Sequence, residues 1–89
     1  MKLKITEGDW KQAKLGWLTV EGEDFTATFF RFEFGSQYGI DNGRLSKLTI
    51  KRKSTNECIA NYDRGWDIKP AMNHEDIAEF YNEVLRQYN

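Results

Sequence analysis

An amphipathic stripe near the C-terminus constrains this chain more than any other feature. Ile77, Phe80, Tyr81, Val84, Leu85 and Tyr88 recur at the spacing of one helix face, while Glu79, Asn82, Glu83, Arg86 and Gln87 fall outside it. Asn73 is a favourable N-cap, Asp76 stands three positions on as a weak capping box, and Glu75 suits the positive helix end. A helix with one apolar stripe needs one apolar surface to cover. The residues before it are patterned as strands.

Trp17 to Val20 reads as a strand, Glu21 to Asp24 as a turn, and Phe25 to Phe34 as a long returning strand. Phe25, Ala27 and Phe29 share one face of that strand, and Phe30, Phe32 and Phe34 the other. A β-bulge near Phe29 and Phe30, or burial on both faces, would account for this change of phase. Three glycines and an Asp-Asn-Gly turn signal mark residues 35–43 as a loop. Leu45 to Lys53 is the next strand, with Leu48 and Ile50 opposite Lys47, Thr49, Lys51 and Lys53. A turn at Ser54 to Glu57 leads to a strand from Cys58 to Tyr62. Gly65 breaks it, and Trp66 and Ile68 extend it as a bent strand until Pro70 stops the pairing. The expected architecture is therefore α+β: a four- to five-stranded antiparallel meander with one C-terminal helix packed on one face. Residues 1–89 form a single domain, in which 1–14 are an N-terminal extension or an edge strand. Leu3 and Ile5 alternate with lysines there, and Trp10 to Leu15 suits either a helical turn or a strand.

Composition narrows the function classes. Leu, Ile, Val and Phe supply 20 of 89 residues, which is enough to fold a nearly neutral chain when three Trp and four Tyr supplement the core. No apolar run reaches the length of a membrane span, and Met1 to Ile5 lacks the apolar block of a signal peptide. One cysteine makes no internal disulfide, so a reducing cytoplasm is the expected setting. Charge is unevenly placed along the chain. Residues 1–43 carry a net −2, residues 44–64 a net +4, and residues 65–89 a net −3. Arg44, Lys47, Lys51, Arg52 and Lys53 fall within ten residues that contain no acid.

Catalytic signals are sparse. Cys58 reads as a small half-buried side chain and His74 as a surface histidine, since a nucleophilic pair needs hydrogen-bond reach and a third orienting group. The glycine loop matches neither phosphate-binding pattern. Asp41, Asp63 and Asp67 could converge on a hard cation, the weaker enzymatic reading. In the segment Tyr62 to Asp67 the structural reading is that Gly65 turns the backbone and Trp66 plugs the sheet–helix interface. Arg64 then pairs with a carboxylate. No cofactor is expected. If the helix covers Leu48 and Ile50, then Lys47, Lys51 and Lys53 face solvent with aromatics such as Trp17 and Phe30. Such a face suits a nucleic-acid platform, whereas a pI near 5.8 opposes one. The same lysines could merely solubilise a sheet edge.

Two blocks resemble a known family. They are Ser36-Gln37-Tyr38-Gly39-Ile40-Asp41-Asn42-Gly43-Arg44-Leu45-Ser46-Lys47-Leu48-Thr49-Ile50 and Ala60-Asn61-Tyr62-Asp63-Arg64-Gly65-Trp66-Asp67-Ile68. Both are similar to blocks in a family of small proteins of unknown function from Firmicutes, their phages and mobile elements, with Leu45 in place of the family's Ile. The resemblance covers residues 15–89, brings no established activity, and implies a bacterial or phage cytoplasm. Small phage accessory proteins often occlude a host protein, including defence nucleases. The expectation is a non-catalytic binding protein with a protein partner. Its contact residues would be Tyr38, Arg44, Lys47, Lys51, Lys53, Arg64 and Trp66, with Trp10 as a further anchor. Nucleic acid is the alternative partner. Homodimerisation through the open sheet face would enlarge a small core.

Overall fold

A computed structural model describes residues 2–8 and 16–89. Among them six strands form one antiparallel meander in chain order: β1 (Lys4–Glu7), β2 (Gly16–Glu21), β3 (Phe25–Arg31), β4 (Leu45–Arg52), β5 (Cys58–Asp63) and β6 (Trp66–Ile68). The helix α1 (Glu75–Tyr88) follows. The sheet is thus larger than the four or five strands expected. Both short edges that the sequence left optional form strands, β1 from the N-terminal segment and β6 from the bent continuation of β5, each only three or four residues long. The segment around Trp10 lies outside the described residues. No helix of the described residues is long and apolar enough to cross a membrane.

One face of the sheet holds the core. Leu18, Val20, Phe25, Ala27, Phe29, Leu48, Ile50, Ala60 and Tyr62 project beneath α1, which returns Ile77, Phe80, Tyr81, Val84 and Tyr88. Phe25 meets Phe80 at 5.3 Å between ring centroids, and Phe29 meets Tyr88 at 5.0 Å. Trp66 lies on this side too, half-buried against Tyr62 and Tyr81. It therefore fills the sheet–helix junction, away from the lysines with which it was grouped as a contact residue. The helix is capped by His74 rather than Asn73 and lacks a side-chain cap bond; the Asp76 carboxylate accepts from the Ile77 N–H instead. A one-residue shift of this kind is usual where a first turn has several polar side chains competing for its free N–H groups.

Burial also raises the pKa of two core phenols, Tyr81 and Tyr88. It pushes the Tyr81 pKa up to about 12, with Asp41 and Tyr62 adding to the effect. The unfolded chain ionises near pH 10 and the folded one does not, so this group's contribution is complete below pH 10 and declines as pH rises towards 12. Tyr81→Phe is expected to flatten the loss of stability between pH 10 and 12 in urea titrations followed by circular dichroism. An unchanged pH profile would show the phenol to be solvated.

Candidate binding groove

Away from the helix, the registers align the remaining side chains in rows across the sheet. Trp17, Phe30, Lys47 and Asp63 form one row. Thr19, Thr28, Thr49 and Asn61 form the next, with the Thr19 and Thr28 hydroxyls 3.1 Å apart. Glu21, Thr26 and Lys51 form the third. This face is polar in the middle. Its aromatic end is the first row, where Trp17 and Phe30 meet edge to face at 5.4 Å and Phe30 continues to Phe32 at 4.8 Å.

The row of Lys47, Lys51 and Lys53 expected from sequence is interrupted by acids from other strands and stops short of Lys53. Thr49 separates Lys47 from Lys51. Strand β4 ends at Arg52, and Lys53 in the following turn is 3.2 Å from Glu21. Lys47 stands opposite Asp63. A sequence window sees only the β4 side chains, whereas the acids arrive from β2 and β5.

The aromatic end is shaped by a β-bulge. Opposite Phe30 and Arg31, β4 presents Lys47 and Leu45, leaving Ser46 as the extra residue. Alternation along β3 itself is unbroken, so its two aromatic faces reflect packing under the helix on one side and exposure on the other. Beyond Arg31 the chain leaves the strand but stays tethered: the Phe32 N–H donates to the Arg44 C=O at 3.0 Å, and Arg44 Nε donates back to the Phe32 C=O at 2.9 Å. The Ser36 N–H donates to the Gly43 C=O at 3.1 Å. A short 3₁₀ turn (Ile40–Asn42) closes the loop, with Asp41 and Asn42 in the left-handed conformation that the Asp-Asn-Gly sequence favours. The Asn89 side chain braces this turn. Its Nδ2 donates to the Ile40 C=O at 2.9 Å and its Oδ1 accepts from the Leu45 N–H at 3.1 Å.

Between this loop and the ends of β4 and β5 lies an open groove of about 780 Å³, lined by Phe32, Glu33, Phe34, Ser36, Tyr38, Ser46, Lys47, Asp63 and Arg64. Tyr38 is fixed from below, its C=O accepting from the Tyr62 hydroxyl at 2.9 Å. The Arg64 guanidinium lies over the Tyr38 ring, 4.2 Å from its centroid, and Lys47 Nζ is 5.8 Å from that of Trp17. Arg64 occupies the left-handed region at φ 59°, so Arg64 and not Gly65 bears the unusual backbone of this turn. That conformation costs a non-glycine residue about 1–2 kcal/mol. Its product here is a guanidinium held against the groove wall.

Of the contact residues named from sequence, Tyr38, Lys47 and Arg64 meet in the groove and Arg44 braces its rim. Lys51, Lys53 and Trp66 do not join them. Phe32, Phe34, Glu33 and Asp63 complete the lining. The signal for the aromatics was the Phe30, Phe32, Phe34 alternation; the acids had none, because nothing local marks Asp63 as a neighbour of the β3 end. Among the described residues no three of His, Cys, Asp and Glu are grouped to hold a metal, so Asp41, Asp63 and Asp67 do not converge.

An α+β domain with one sheet face that no other described element covers, and an aromatic groove at its rim, is the class of protein these features define. The chain belongs to the family described as Domain of unknown function (DUF7678), whose model matches residues 9–89. No curated protein and no solved structure matches it significantly.

Proposed function

We propose that this protein is a non-catalytic binding module that docks a partner protein at the groove and the adjoining aromatic row. The observation that carries this reading is a cluster of exposed large side chains: Trp17 is 53%, Phe32 48%, Phe34 77% and Tyr38 46% accessible, all at one end of the open face. A domain this small has few large apolar residues to spare for solvent. Their grouping beside a groove is the pattern of an interface with aromatic and Arg anchors. Charge selects the partner class. Glu33 and Asp63 match Lys47 and Arg64 in number, so the groove carries no net charge. A polyphosphate chain draws its affinity from uncompensated cations, whereas a protein surface of mixed charge does not need them. The phage or mobile-element setting, and with it an inhibitor's role against a host defence nuclease, rests on the sequence resemblance.

Phe34→Ala separates binding from folding. With its side chain mostly exposed, the variant is expected to unfold within about 0.5 kcal/mol of the parent. It should lose at least about tenfold in affinity for a partner recovered from bacterial lysate after nuclease treatment. Arg64→Gly should do the same while gaining stability, because the backbone penalty is relieved. Retention that survives both substitutions, or that disappears with nuclease, would overturn the reading. Steeply salt-dependent binding to oligonucleotides would replace it with the nucleic-acid one.

A further inference from the structure

Resting on that reading, the two charge signs in the groove are differently placed. Each cation already has an aromatic face: Arg64 lies over Tyr38 and Lys47 over Trp17. Glu33 and Asp63 are exposed and line the same groove, and among the described residues neither makes an ion pair or a side-chain hydrogen bond. Ion pairs among the described residues lie elsewhere, as in Arg52 with Asp76, Lys53 with Glu21 and Arg86 with Glu83. Asp63 faces Lys47 across the β4–β5 pair, yet the two form no salt bridge. The groove is neutral overall, but its two carboxylates are the charged groups that have neither an ion pair nor a ring contact among the described residues, and they share the lining with Phe32 and Phe34.

We infer that the groove receives an arginine-bearing segment of the partner protein. A guanidinium has the fork of N–H donors that a carboxylate accepts, and its planar, weakly hydrated surface stacks on aromatic rings. The aliphatic stem of the same side chain would cover Phe32 and Phe34 while the head reaches Glu33 or Asp63. The preference is the reverse of the one suggested by the basic stretch from Arg44 to Lys53, which would call for an acidic partner.

Short capped peptides, identical except for a central arginine, citrulline or glutamate between two leucines, provide the probe. They are titrated into ¹⁵N-labelled protein at low salt, with backbone amide shifts as the readout. The arginine peptide is expected to move the amides of Glu33, Phe34, Asp63 and Arg64, and the citrulline peptide to bind about fivefold or more weakly. Asp63→Asn and Glu33→Gln, both at exposed positions, should each erase part of that preference without altering the dispersion of the spectrum. Equal binding of arginine and citrulline peptides, or no groove shifts with any peptide, would overturn the inference. If the glutamate peptide binds the groove best, the inference fails while the protein-binding reading stands. If only an oligothymidylate shifts these amides, both fail.

Discussion

Phe80→Ala is expected to remove most of the stability of this domain. Phe80 is the central helix residue of the core, almost fully buried, with its ring 5.3 Å from that of Phe25. Truncating a buried phenylalanine costs about 3–5 kcal/mol in lost transfer energy and residual cavity. Domains hold only about 5–15 kcal/mol in total, and the smallest lie at the low end because they bury the least surface. With one helix covering one sheet face, no second layer among the described residues closes over the void. Urea unfolding should show a midpoint lowered by about half or more with little change in slope, and Tm should fall by at least about 12 °C. Glu79→Ala, one position away on the exposed side, should stay within about 0.5 kcal/mol. A loss at Phe80 of less than about 1 kcal/mol would mean that α1 does not pack as described.

Gly39→Ala is expected to dismantle the groove wall. The Gly39 backbone has an ordinary extended conformation, φ −81° and ψ 158°, so the argument is one of space rather than strain. A Cβ at this position would collide with the Gly43 carbonyl oxygen, a backbone atom with no rotamer to escape into. The nearest relief is to open the turn. That breaks the Gly43 N–H to Ile40 C=O bond of 2.8 Å and shifts Tyr38 away from the Tyr62 hydroxyl that holds it. Overpacking of this kind costs about 1–3 kcal/mol, and more when backbone must move. Hydrogen exchange should rise across residues 36–45 while the β2–β3 amides keep their protection. Gly65→Ala is the contrast, since no atom lies within 4 Å of its added Cβ. It should be neutral or slightly stabilising through the unfolded chain. If Gly39→Ala and Gly65→Ala behaved alike, the close approach of Gly39 to Gly43 would be wrong.

These two glycines also show where local sequence stops being informative. Reading Gly65 as the turn residue follows from its lack of a Cβ, but the left-handed conformation belongs to Arg64. Asp63 N–H donates to the Gly65 C=O, and Arg64 N–H donates to the Ser46 C=O on the neighbouring strand. That cross-strand bond fixes Arg64's backbone, and no short window contains both partners. In the glycine loop, Asp41 and Asn42 behave as their side chains dictate, because the bonds that stabilise a left-handed turn are local. The closure of that loop by Asn89 is not legible, since it joins Ile40 and Leu45 to a residue more than forty positions away.

Residue order by itself determined the helix from its apolar stripe, the four central strands from their alternation, and the antiparallel meander from the shortness of the connections. All of these depend on periodicities within a dozen residues. It also determined that Phe30, Phe32 and Phe34 would share a side. Tertiary structure decided what that side became. Strand pairing brought Asp63 opposite Lys47 and Glu21 within reach of Lys53, so a stretch that is basic along the chain is balanced across the sheet. It also chose between the two readings of Trp66, placing it at the sheet–helix junction and not among the contact residues. Charge and exposure at a surface depend on neighbours in space, and in a sheet half of those neighbours come from other strands.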